Sequence, residues 1–129
     1  MMNNDKVYRG YFNRVMTREH NETWGYLTDN CKSAMFNYLL HGWEPGGFLT
    51  AVLTNDLYRA ALVCDFENAK NLTFVARWVY HSLPRICYGD QARMNEWCSL
   101  SDREREQILI SRGLLPTLFD VIQDPVDLI

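Results

Sequence analysis

In the stretch EPGGFLTAVLTNDL, residues 44–57, Gly46 and Gly47 stand directly before a run of helix formers, and Asn55 and Asp56 follow it. Free N–H groups and the positive dipole end of a helix opened by glycines suit a phosphate or a carboxylate. A nucleotide loop of the GxxxxGK[ST] kind would set a cation beside the glycines. Residues 46–56 contain neither Lys nor Arg. The pattern therefore favours a tight turn between helices, for which glycine supplies the dihedrals. Gly46, Gly47, Asn55 and Asp56 remain as candidates for an anion or small-ligand site.

Metal and covalent chemistry find less support. Asn55 and Asp56 with Asp65 and Glu67 lack the D-x-[DN]-x-[DN]-G spacing of a calcium loop, and helix capping accounts for the first two. The histidines, His20, His41 and His81, form no HxxxH or HExxH pair, and Cys31, Cys64, Cys87 and Cys98 form no CxxC. Convergence of His81 with Cys64 would give a minimal base and nucleophile. No GxSxG or cysteine-protease signature accompanies them. The sequence thus predicts no catalytic residue, no metal and no cofactor.

The elements that would carry these residues are helical. Tyr8, Tyr11, Phe12, Val15 and Met16 fall at helical spacing in a first helix from Asp5 to about Met16, and residues 17–28 read as a connecting loop. Asp29 is placed to cap a helix ending at Gly42, and Pro45 to open a second that Asn55 terminates in a left-handed conformation. Asp56 then caps LYRAALVCD. The longest helix spans Asn68 to Ser82, stopped by Pro84, with Leu72, Val75, Ala76 and Val79 on one stripe and Phe74 with Trp78 on another.

A short helix follows Gly89. Ser101 and Glu104 form a capping box for a charged helix that Gly113 ends, and Pro116 opens a last turn of helix to about Gln123. No stretch sustains the period-two alternation of a strand. The expectation is an all-α, single-domain, compact bundle of about six short helices. Its segments are an N-terminal helix and loop (1–26), a helical core module (27–98) and an acidic helical extension (99–129).

A chain of 129 residues with 47% hydrophobic residues suffices for one packed core. The net charge is -3 and the basic residues are dispersed, which argues against direct nucleic-acid binding. No apolar window is long enough to span a membrane, and MMNNDKVYRGYF lacks the apolar region of a signal peptide, so a cytosolic location is expected. The deficit is uneven: residues 99–129 carry three basic and six acidic groups, among them Asp102, Glu104 and Glu106. Such a helix is either a solvated face or a surface that docks onto a basic groove.

Aromatic residues are 13% of the chain. Tyr8, Tyr11, Trp24, Tyr26, Trp43 and Tyr58 lie near loops or in weakly apolar segments, where they either pin the N-terminal segment to the core or anchor a partner. Phe74 and Trp78 would serve as the self-interface of a homodimer.

EPGGFLTAVLTNDL, followed by RWVY and YGDQARMNEW, resembles a group of small uncharacterised proteins common in phages and prophages. These share a Pro-Gly-Gly-Phe-Leu-Thr-Ala-Val-Leu core followed by Asn-Asp-Leu. The match covers about Tyr26 to Trp97, and Pro45, Gly46, Gly47, Phe48, Leu49, Asn55, Asp56 and Leu57 are its most specific points. The resemblance implies no active site. It implies a phage-type protein in the host cytosol that binds and inhibits a host protein, with counter-defence, for example anti-CRISPR activity, as the concrete form. The alternatives are a small-ligand or nucleotide-binding protein using the Gly46–Gly47 helix start, and a dimerising structural module. The tail QDPVDLI also has a faint likeness to sliding-clamp peptides.

Overall fold

The computed structural model describes residues 5–64 and 66–117, and the side chains of 66–68 are left aside. The chain is all-α. The described residues form eight α-helices: α1 (Asp5–Glu19), α2 (Asn21–Trp24), α3 (Asp29–His41), α4 (Gly47–Leu53), α5 (Leu57–Val63), α6 (Phe66–Ser82), α7 (Gln91–Ser99) and α8 (Asp102–Ser111). A 3-10 turn, Arg85–Cys87, joins α6 to the loop before α7. None of these helices is long and apolar enough to cross a membrane.

Local signals set most of the boundaries. Gly42 ends α3 in the left-handed region at φ 70°, and Asn55 does the same after α4 at φ 63°. Asp56 and Asp90 accept from the N–H groups of Arg59 and Arg93 at the starts of α5 and α7. Both bonds of the Ser101–Glu104 capping box are formed.

Three boundaries differ from expectation. The N-cap of α3 is Thr28, whose hydroxyl accepts from the Cys31 N–H, and Asp29 is the first helical residue. Gly46, at φ 94°, caps α4, so Pro45 lies outside it. Residues 17–28 are not one loop, because α1 runs on to Glu19 and α2 buries Trp24. The Pro116 helix and the QDPVDLI tail lie mostly or wholly outside the described residues.

One core draws on all parts of the described chain. Phe12, Val15 and Met16 of α1 meet Met35, Phe36 and Leu39 of α3, Trp78 of α6, Met94 and Trp97 of α7, and Leu109, Leu114 and Leu115 from the C-terminal region. Trp24 sits edge-on to Phe12 at 5.6 Å and tilted against Trp78 at 5.0 Å. Two polar groups inside the core find partners across it. Tyr38 donates its hydroxyl to the Cys87 carbonyl at 2.6 Å, and Trp97 Nε1 donates to the Tyr38 carbonyl at 3.1 Å.

Candidate functional site

The helices α4 and α5 pack against each other across the Thr54–Asn55–Asp56 turn. The turn is held by the Asp56 N–H donating to Ala51 at 2.8 Å and by the Thr54 hydroxyl donating to Thr50 at 2.8 Å. Phe48, Leu49, Ala51 and Leu53 anchor α4 in the core, whereas α5 buries Ala60 alone. Leu57, Tyr58 and Leu62 are 69%, 86% and 81% exposed, and Val63 is also exposed.

Positions 57, 58, 61 and 62 follow i, i+1, i+4, i+5, so they share one face of α5. That face is apolar and turned to water. A folded domain seldom leaves three large apolar side chains of a seven-residue helix uncovered. Burying a Leu contributes about 1.5–3 kcal/mol, and Tyr is a frequent anchor of interfaces. The arrangement suits insertion of a short helix into an apolar groove.

The other sequence-predicted anchors divide by burial. Trp24 and Trp78 are core residues at 3% and 0% exposure, so Trp24 pins its segment to the core, the first of its two readings, and neither ring is exposed to anchor a partner. Trp78 Nε1 instead donates to the sulfur of Met16 at 3.2 Å. Phe74 is half-buried and stacked on Tyr26 at 4.2 Å, so with Trp78 in the core the two do not form one exposed stripe. Tyr8 and Tyr11 are half-buried against the core. Trp43 is exposed and stacked on His41 at 4.5 Å, and His41 Nε2 donates to Asp5 Oδ1 at 3.0 Å.

The acidic trio of α8 is largely engaged within the helix. Asp102 pairs with Arg105 and Glu104 closes the capping box. Burial, then the neighbouring Asp102, pushes the half-buried Glu106 carboxyl up from the usual carboxylate range.

Gly46, Gly47, Asn55 and Asp56 do not converge. The first pair opens α4 and the second follows its far end, about 10 Å along a helix of this length. Asn55 supplies the left-handed turn and Asp56 the α5 cap, so both have structural roles.

Cys64 and His81 are each engaged with neighbours in their own segments. Cys64 donates to Ala61 at 3.3 Å, while His81 lies edge-on to Tyr80. His20 Nδ1 and Ser82 Oγ share a hydrogen bond at 3.0 Å, a pairing that the sequence did not suggest. Ser82 is buried, and the bond ties the start of α2 to the end of α6. Among the described residues no group of three His, Cys, Asp or Glu is placed to hold a metal. No protein-family model, curated protein or solved structure matches this chain.

Proposed function

We propose that the protein is a non-catalytic binding protein that engages another protein by inserting α5 into an apolar groove. The observation that carries this reading is the exposed face formed by Leu57, Tyr58 and Leu62. The stiff α4–α5 turn presents these side chains with little conformational freedom to lose, which favours binding. The resemblance of residues 26–97 to phage proteins supplies the partner class: a host protein whose activity is blocked, with a CRISPR effector as the concrete form.

The test is photocrosslinking from position 58 in host lysate, with the captured protein then purified and titrated against the wild type and Leu62→Asp. A one-to-one complex that Leu62→Asp abolishes, with helicity retained, supports the reading. A complex indifferent to Leu62→Asp, or crosslinks only between copies of this chain, overturns it.

A further inference from the structure

The α1 and α3 helices enclose a second feature that shares no residue with α5. A groove of about 440 Å³ runs between them. Lys6, Arg9 and Arg14 from α1 and Lys32 from α3 line it together with Asp29, and Arg9 also pairs with Asp5 at 3.5 Å and donates to Asn37 at 3.1 Å. In a chain of net charge -3, the fold therefore gathers four cations, three from α1 and one from α3, onto one opening. Arg9 lies 4.3 Å over the Phe36 ring and Lys32 lies 5.4 Å over the Trp24 ring. These contacts hold the charged heads above an apolar floor.

Gly10 lines the same groove. It is exposed, sits in the interior of a fifteen-residue helix, and a Cβ built on it meets nothing within 4 Å. Its φ is not in the left-handed region, so the backbone makes no demand for glycine. Glycine there weakens α1. What its missing side chain preserves is open volume between Lys6 and Arg14, one helical turn to either side.

We propose that this groove binds a small amphiphilic anion, an apolar ring or chain bearing a carboxylate or phosphate. The apolar part lies over Gly10 against the floor, and the anionic group meets the Lys and Arg heads at the rim. The volume falls in the range of about 300–1,000 Å³ usual for small-molecule sites. Arginine and lysine together offer forked and point-charge donors to such oxygens.

The experiment is calorimetric titration of the full chain with AMP and, separately, with decanoate, using adenosine and decanol as neutral counterparts. The variants are Gly10→Leu, which fills the groove, and Lys32→Glu, which reverses one rim charge without touching α1. Saturable binding of either anion, weakened about tenfold or more in both variants while each still melts cooperatively, supports the site. The anion that binds then identifies the source, nucleotide or acyl chain. No saturable binding of either anion up to about 1 mM overturns the proposal. So does an affinity unchanged in both variants, or a neutral counterpart binding as tightly as its anion.

Discussion

Arg105 Nε donates to the main-chain carbonyl of Leu40 at 3.2 Å, joining residues 65 positions apart. Its Nη1 donates to the carbonyls of Trp97 at 3.3 Å, Cys98 at 3.5 Å and Leu100, and its Nη2 meets Asp102. The guanidinium thus closes the C-terminal ends of α3 and α7, where carbonyls lack partners within the helix and the dipole is negative. Arg105 is 3% exposed while the Asp102 side chain lies mostly in water. Carbonyl dipoles, more than a counter-ion, therefore compensate the buried charge.

Arg105→Met retains the apolar stem and strips the donors, so the carbonyls of Leu40, Cys98 and Leu100 lose the bond Arg105 supplies, while Trp97 keeps the Leu100 N–H at 3.3 Å. Urea denaturation should show a loss of about 2–4 kcal/mol. Gly42→Ala should act through the same joint, because a Cβ there lies 2.7 Å from Arg105 Nη1 on a backbone at φ +70°. Its left-handed strain alone costs about 1–2 kcal/mol. An Arg105→Met midpoint equal to the wild type would mean that water satisfies these carbonyls.

The two glutamates of α8 should bend the pH profile of stability in opposite directions. The Ser101 N–H, donating to Glu104 Oε1 at 3.1 Å, holds the Glu104 carboxyl below its usual range. Its contribution is complete above the unfolded-state value and is lost as pH falls through the lower folded value. Burial raises Glu106, so its protonated form favours the fold, and that contribution is lost as pH rises through the raised value. In denaturation at neutral pH, Glu104→Ala should be less stable than wild type and Glu106→Gln more stable. Both differences should shrink in acid, where wild-type carboxyls are protonated.

The four thiols should separate by burial. Burial pushes Cys31 up to about 12, against a lowering by Lys32, and burial also pushes Cys87 far up. Burial, with Glu44 beside it, raises the less enclosed Cys98. A disulfide reagent at pH 8 should modify Cys64 first and Cys98 more slowly, and reach Cys31 and Cys87 only on unfolding. Because Cys31, Cys87 and Cys98 titrate in the folded state above the unfolded value of about 8.5, stability should fall as pH rises past it. Cys31→Ala should flatten that alkaline slope. Rapid modification of all four thiols in the native state would contradict the packing around Tyr38.

Much of the scaffold is legible in the sequence because its stop and start signals are local. Gly42, Asn55, Asp56 and the Ser101–Glu104 box act within a few residues of themselves, so reading them needs no tertiary knowledge. Burial is not local. Tyr58 and Trp24 look alike as aromatics near loops, yet one is 86% exposed and the other 3%. Arg103 and Arg105 look alike within DREREQ, and only the second falls on the stripe of Ile108 and Leu109. That register was the available signal, and the charge of the segment obscured it. The α1–α3 groove was hidden for a related reason, since its cations come from two helices separated by α2.

Gly10→Ala should stabilise the protein. The position is exposed and helical, with open space where the methyl group would go, so the substitution removes unfolded-state freedom at no steric cost. The expected gain is about 0.5–1 kcal/mol in urea denaturation. A loss would mean that the α1 backbone at this position needs glycine, and the argument from groove volume would lose its premise.

Substitutions on α5 should separate binding from folding. Leu57, Tyr58 and Leu62 make little contact with the core, so Tyr58→Ala and Leu62→Asp should change stability by no more than about 0.5 kcal/mol. Ala60→Asp, on the buried side of the same helix, should destabilise by about 2 kcal/mol or more through an unpaired buried charge. Truncation after Cys98 would remove Arg105, Leu109, Leu114 and Leu115 from the core, so it cannot separate binding from folding. The discriminating pair is therefore Leu62→Asp and Ala60→Asp, compared by thermal melting and by partner titration. Loss of the partner with melting unchanged in Leu62→Asp assigns α5 its role as an interface. A large drop in melting temperature for Leu62→Asp would show instead that this face is covered within the molecule.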